Sequence, residues 1–394
     1  MQIAPNCTRI LDAFGVLDEV LSLGVVPENL LMKDAVDGKE LTRIDLRDLQ
    51  DRYGFPYVVI HRSDLHGTLL RACQAAGVEL VNDVAVTGYE QVPGGAAVTF
   101  DGGCDEAPVV LAADGLRSVA RRLFSDDEPV SSAYVAYRGA VPVDQVDALD
   151  ISPKDVVLYV GPQCHFVQYP LRQGEMFNQV AVFESPKAVA GEEDWGTPDE
   201  LDAAFADTSE YVQAGLPLMW RDRWWRMYDR DPIMNWVQGR IALTGDAAHA
   251  PLQYLAQGAV MALEDAWVLA EHVARQLDGG YPIAELDWDS ALAAYNAVRP
   301  EHCRRVVTTA RSWGELWHHG GDEGVEKPDH ARPGRGRLQL HRLDLRTHRP
   351  DARAGTRNVP VAVAPNRPST GTVNTSTPST WTCSSPRIAS AWSA

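Results

Sequence analysis

The sequence predicts an α/β fold: a doubly wound nucleotide-type domain, incomplete at its start, with a β-sheet domain inserted into it. Two strand–turn–helix units carry this reading. Val109–Ala113 and Ile241–Leu243 are apolar runs, and each stops at a tight turn, Asp114-Gly115 and Gly245-Asp246, that leads into a helix. Between the two units, from about Ala133 to Ser185, strand-like segments dominate. A dinucleotide-binding domain of this class opens with a strand, a GxGxxG turn and a helix. Nothing near Met1 matches that pattern, so the domain reads as incomplete.

The elements follow in order. Ile10, Leu11, Phe14, Leu17, Val20 and Leu21 sit at helical spacing within 7–23, ending at Gly24. Tyr57–Ile60 is a short strand leading to a helix over 63–76 with Ser63 as its cap. Val78–Val81, Val84–Gln91 and Ala96–Phe100 read as strands, the last two joined by a Pro93-Gly94-Gly95 turn. Strand 109–112 reaches the Asp114-Gly115 turn and a helix capped by Ser118. Tyr134–Val141, Val156–Val160, Cys164–Tyr169 and Gln179–Phe183 build the inserted sheet. Residues 198–214 read as a polar helix, Trp220–Trp236 as an aromatic-rich crossing back, and 259–277 and 289–317 as closing helices.

At 394 residues and 45% hydrophobic, the chain can bury two domain cores. No stretch has the apolar length of a membrane span. The net charge of −18 argues against nucleic acid as a partner. Six cysteines without CxxC pairs or metal-ligand spacing fit reduced cytoplasmic thiols and no metal. The charge is uneven: 328–394 holds ten Arg against three Asp, net +7, leaving −25 on the rest. That Pro-, Thr- and Ser-rich tail has no sustained period.

The chemistry concentrates at Gly239–Asp265. A buried strand delivers the Asp246 carboxylate, and a helix N-terminus with free N–H groups follows near Gly258 and Ala259. That pairing suits a cofactor with hydroxyls along its middle and electron-poor carbonyls at one end. With Asp114-Gly115, the pattern resembles the two flavin motifs of the single-component FAD-dependent aromatic hydroxylases. Cys164–Pro170, Asp231–Trp236, Pro251–Leu255 and Arg311–Trp317 extend the similarity over Gln2–Trp317. One minor departure is Ala250, with Pro251 next, where the family has Pro after the Gly-Asp-Ala-Ala-His run.

The resemblance implies an FAD-binding domain in 1–130 and 238–318, a substrate domain in 131–237 and an aberrant basic tail at 319–394. It also implies a start after the GxGxxG unit and a frameshift just after Trp317, so that a chain without cofactor or activity is the alternative. The implied reaction is hydroxylation of 3-hydroxybenzoate para to its hydroxyl, giving 2,5-dihydroxybenzoate with NADH and O2. Salicylate and a hydroxynicotinate are the runner-up substrates, and a homodimer is left open. Alternation puts His165, Val167 and Tyr169 on one strand face. By resemblance His165 is the base for the phenol, with a pKa near neutrality, and Gln253 orients the ring. Tyr57 and Tyr169 line the pocket, while Arg62, Asp114, Gly115, Gly245, Asp246, Gly258 and Ala259 meet FAD. Arg117 and Arg121 read equally as phosphate contacts or solvated charges.

Overall fold

The computed structural model describes residues 1–146, 152–282 and 285–319. The basic tail beyond 319 and its frameshift reading lie outside the described residues. No helix among them is long and apolar enough to cross a membrane. The chain opens with β1 (Gln2–Ile3), α1 (Pro5–Ala13), α2 (Leu17–Leu23), β2 (Asn29–Asp34), β3 (Glu40–Asp45) and α3 (Leu46–Tyr53). Then come β4 (Val58–Val59), α4 (Arg62–Ala75), β5 (Val86–Val92), β6 (Gly95–Phe100), β7 (Gly103–Ala107) and β8 (Val110–Ala112). The middle holds β9 (Val130–Pro142), β10 (Asp155–Gly161), β11 (Cys164–Leu171), β12 (Met176–Glu184), α5 (Pro186–Val189), α6 (Pro198–Ala204), α7 (Glu210–Gln213) and β13 (Trp225–Asp229). The chain returns through β14 (Val237–Gln238), β15 (Ile241–Leu243), α8 (Asp246–His249), α9 (Gly258–Asp278) and α10 (Trp288–His318).

A seven-stranded sheet in the order β13-β9-β12-β11-β10-β2-β3 dominates the molecule. Its strands run antiparallel except β10 and β2, which are parallel. Both faces are covered, so its central strands read as continuous apolar runs. One face packs Tyr137, Phe166 and Phe183 against Trp195, Leu201 and Phe205 from the segment that follows β12. The other meets Leu252, Tyr254, Trp313 and Trp317. Residues 29–45, assigned from sequence to the first part of the nucleotide-type domain, instead extend this sheet as β2 and β3. Val156–Val160 pairs with Leu30–Asp34 residue for residue, a long-range match that no local pattern reveals.

The α/β portion rests on the parallel pair β8 and β15, in register from Val110/Ile241 to Ala112/Leu243. Its core joins Ala242, Leu243, Met261, Leu269, Leu292, Tyr295 and Val306, so α9 and α10 cover the strands. Other expectations shift locally. Helix 7–23 breaks in two at Gly15, whose φ of 71° ends α1. Val78–Val81 is not a strand: it has no partner among the described residues, and Leu80 and Val81 are exposed. The single helix over 198–214 becomes α6, begun by a Thr197/Glu200 capping box, and the short α7. Among the described residues Cys7, Cys73, Cys164 and Cys303 are free thiols.

Candidate functional site

The parallel register carries Asp114 and Asp246 past the same C-terminal edge of adjacent strands. Their environments differ. Asp114 accepts from Ser118 Oγ at 2.6 Å, Val119 N at 2.8 Å, Ala120 N at 3.2 Å and Tyr89 Oη at 3.2 Å. Those four donors fill a carboxylate's capacity, so Asp114 holds its own turn and has little left for a ligand. Gly115 beside it takes φ 80°, open to glycine without strain. Asp246 is exposed and makes no hydrogen bond among the described residues, which leaves both oxygens for ligand hydroxyls. Gly245 before it adopts φ 59°, ψ −144°, a conformation that a side chain would strain.

The α9 N-terminus completes this edge. Gln257 gives no side-chain cap because its Oε1 accepts from Asn6 Nδ2 at 3.0 Å. The N–H groups of Gly258 and Ala259 stay free at the positive end of a 21-residue helix. An exposed carboxylate and these donors fit the ribityl hydroxyls and ring carbonyls of a flavin. Asp246→Ala should weaken FAD binding by roughly 10- to 100-fold, the worth of one or two hydrogen bonds to a charge. Stability should barely change, because Asp246 supports nothing else. Titration by flavin fluorescence measures this, and an unchanged affinity removes Asp246 from the site.

A buried ion network beneath this edge was missed in the sequence. Asp265 on α9 accepts from Gly245 N at 2.9 Å, His249 Nε2 at 2.6 Å and Arg299 Nε at 2.7 Å. Arg299 also pairs with Glu264 at 3.1 Å, and Glu264 with His302 at 3.0 Å. His249, Asp265 and Cys303 place ligand-type atoms within 4.8 Å of one another, but Arg299 already supplies the counter-charge to Asp265. The network therefore locks the Gly245-Asp246 turn to both long helices. The available signal was Glu264-Asp265 inside an apolar helical stretch, since buried acids need partners.

Arg121 departs from its sequence reading, whereas Arg62 does not. Arg121 is buried and donates to Asp127 Oδ1 at 2.8 Å and to the carbonyls of Ala247, Ala248 and Asp231 at 3.0, 2.7 and 2.6 Å. It is structural and faces no phosphate. Arg62 is exposed at the start of α4, where His61 rather than Ser63 is the cap: its Nδ1 accepts from Ser63 N. Arg62 lies close enough to Arg138 for their charges to oppose each other.

The inner face of the large sheet carries the remaining candidate residues. Its register aligns His165 with Val182 and Ala136, Val167 with Val180 and Arg138, and Tyr169 with Asn178 and Ala140. His165, Arg138 and Tyr169 thus occupy three successive rows on one face. Gln253 reaches this face from the loop after α8, where Arg138 Nη2 donates to its Oε1 at 3.5 Å. Gly314 lets the Tyr254 ring pack against α10, since a Cβ there would lie 2.4 Å from it. Tyr57 and Tyr169 share a buried cluster, with Tyr57 Oη donating to Gln2 Oε1 at 2.5 Å. A hollow of about 170 Å³ lined by Leu31, Lys33, Tyr159 and Phe177 lies on the opposite face, away from these groups.

Electrostatics on this face are unusual. Arg138 is half-buried, and no carboxylate pairs with it among the described residues. Burial lowers its pKa, Tyr169 opposes that shift and Arg62 adds to it. Asn178 Nδ2, one row away, is buried without an acceptor. Burial pushes Tyr169 up to about 12, with Arg138 pulling the other way. His165 is buried and bonded through Nδ1 to His318 Nε2 at 2.8 Å. Burial first, and His318 second, hold its pKa well below the ordinary 6.5, not near neutrality as the sequence reading expected. That burial favours the neutral imidazole.

Comparison with known proteins agrees with this geometry. The family model described as "FAD binding domain" matches residues 2–310. A 3-hydroxybenzoate 6-hydroxylase of Aquipseudomonas alcaligenes is 35% identical over 326 residues, covering 81% of this chain and 79% of that protein. The 3-amino-4-hydroxybenzoate 2-monooxygenase PtmB3 of Streptomyces platensis is also 35% identical, over 81% and 78% of the two chains. Among solved structures, Klebsiella pneumoniae HpxO complexed with FAD and uric acid superposes with a TM-score of 0.70 at 26% identity. It covers 82% of this chain and 80% of that one.

Proposed function

Because this chain belongs to the FAD-binding-domain family of aromatic-ring hydroxylases, we propose that it is a 3-hydroxybenzoate 6-hydroxylase of the cytoplasm, forming 2,5-dihydroxybenzoate from 3-hydroxybenzoate, NADH and O2. The observation that carries the substrate is the pairing, on one sheet face, of an imidazole with a guanidinium that lacks a carboxylate. A meta-hydroxybenzoate has matching ends, one acidic hydroxyl and one carboxylate.

Bound FAD, reduced by NADH and reoxidised by O2, supplies the oxygen atom that enters the ring. Asp246 and the free N–H groups of Gly258 and Ala259 would hold its ribityl chain and ring carbonyls. The rest is done by side chains of the sheet face. Arg138 holds the substrate carboxylate by charge, and Tyr169 Oη and Asn178 Nδ2 add neutral donors. His165 takes the phenol proton at Nε2, which no described residue occupies, and so makes the ring electron-rich para to its oxygen. Gln253, whose Oε1 accepts from Arg138 Nη2, would fix the ring against the cofactor. Leu252, Tyr254, Trp313 and Trp317 keep water away.

Arg138→Ala should raise KM for 3-hydroxybenzoate roughly 10- to 100-fold, the loss of a charged hydrogen bond. It should leave 3-hydroxybenzyl alcohol, which has no carboxylate, unaffected. Equal losses with both compounds would show that Arg138 supports the fold instead. The reading itself is tested by offering 3-hydroxybenzoate, salicylate, 3-amino-4-hydroxybenzoate and 6-hydroxynicotinate with NADH or NADPH and identifying the products. Preferred turnover of 3-hydroxybenzoate with NADH supports it, and preference for any of the others overturns it.

A further inference from the structure

We propose that His318 is the second half of a histidine relay: it fixes His165 as the Nδ1–H tautomer and accepts that proton when the substrate phenol gives its own to His165 Nε2. The inference rests on the substrate reading above. The two rings are joined Nδ1 to Nε2 at 2.8 Å and lie 5.0 Å apart at 23°. A phenol can be deprotonated by His165 only if its Nε2 is bare. The proton on its other nitrogen must then point at His318 Nε2, which becomes the acceptor.

The step balances without electron transfer. The phenol O–H bond breaks and an Nε2–H bond forms on His165. The Nδ1–H bond of His165 breaks and an Nε2–H bond forms on His318. The substrate is left as a phenolate, His165 is neutral again, and His318 carries the positive charge.

The fold makes His318 the better place for that charge. His165 sits in mid-sheet and is 1% exposed, whereas His318 is the last residue of the 31-residue α10. A helix C-terminus carries partial negative charge and favours a cation in its last turn. The His318 ring stacks on Tyr134 at 4.3 Å and 15°, and meets Tyr254 edge-on at 5.5 Å, faces that also attract a cation. Gln163 N donates to the His318 carbonyl at 3.0 Å and so ties this helix end to the β10–β11 turn beside His165. The other titratable groups around the pair are Tyr134, Tyr254, Glu184 across from Tyr134 on β12, Cys164, Asp229 and His319. Burial first and His319 second oppose charge on His318 and hold its pKa down at about 4, a smaller burden than the complete burial of His165.

The experiment uses His318→Gln and His318→Ala in the full chain. A glutamine amide can accept from His165 Nδ1–H and hold the tautomer, but it cannot take the proton. Nitrogen-15 spectra of the histidine side chains, recorded without cofactor, should show His165 protonated at Nδ1 in the parent protein. In the FAD-loaded protein, the ultraviolet band of bound 3-hydroxybenzoate phenolate should form at least ~10-fold more slowly in both variants. His318→Gln should keep the parental substrate affinity. Phenolate formation at the parental rate in His318→Gln overturns the relay, and so does a His165 protonated at Nε2. Failure of 3-hydroxybenzoate to bind the parent would refute the substrate alone. The tautomer spectrum still decides the relay in that case: Nδ1–H supports it and Nε2–H overturns it.

Discussion

His165→Ala should cut formation of hydroxylated product by ~10²–10⁴-fold, the usual worth of a positioned acid–base group. NADH oxidation should continue, with the oxygen appearing as hydrogen peroxide. The proposed roles divide the work: reduction and reaction with O2 would belong to the cofactor, and readiness of the ring would depend on the imidazole. Gln253→Ala should uncouple the reaction in the same direction by letting the ring drift, since small displacements from the reacting geometry are costly. The ratio of product to peroxide per NADH consumed measures both. His165→Ala also removes the hydrogen bond to His318, a cost of about 1–3 kcal/mol, so a melting curve should accompany the assay. If both variants keep the parental ratio and rate, His165 and Gln253 are core residues and the pocket lies elsewhere.

Asp265→Ala should destabilise the fold by about 3–5 kcal/mol, because it leaves the buried His249 without its counter-charge and Arg299 with Glu264 alone. Gly245 N would lose its acceptor as well, so the Gly245-Asp246 turn should loosen and flavin affinity should fall with stability. Denaturant unfolding measures the first effect, and a loss under 1 kcal/mol would contradict the network's role. The pH dependence follows from two shifts. Burial lowers the pKa of His249, but the Asp265 carboxylate outweighs it and the net shift is upward. Its contribution is complete below the ordinary 6.5 and is lost as pH rises through the raised folded value. Burial raises the pKa of Asp265, yet His249 and Arg299 bring it below the ordinary 3.8. That contribution is present above 3.8 and is lost as pH falls through the lowered value. Unfolding free energy should decline on both sides of this window in the parent protein, and more flatly in the variant.

What could be read from the chain was local. A run such as Ile241–Leu243 ending at Gly245-Asp246 announces a strand edge, because an apolar stretch must be buried and a glycine-aspartate turn must follow. Alternation placed His165, Val167 and Tyr169 together for the same reason. What escaped was set by pairing across distance. Residues 29–45 join the large sheet through Leu30–Asp34, and nothing in that segment names Val156–Val160 as its partner. Asp114 looked like a cofactor ligand, but its acceptors are taken by Ser118, Val119 and Ala120 only a few residues on. Arg138 is visible in the sequence as a lone charge within the apolar strand Tyr134–Val141. His318 could not be found at all, since its meaning lies in a contact 153 residues away.

We propose that this sheet face directs one oxygen atom of O2 to the ring carbon para to the phenol of a carboxylate-bearing substrate. This is tested most directly by running the FAD-loaded protein with NADH and 3-hydroxybenzoate under ¹⁸O₂. The expected product is 2,5-dihydroxybenzoate carrying a single ¹⁸O in the new hydroxyl, formed in proportion to NADH consumed. NADH consumption yielding only labelled hydrogen peroxide, or a product hydroxylated elsewhere or stripped of its carboxylate, would contradict it.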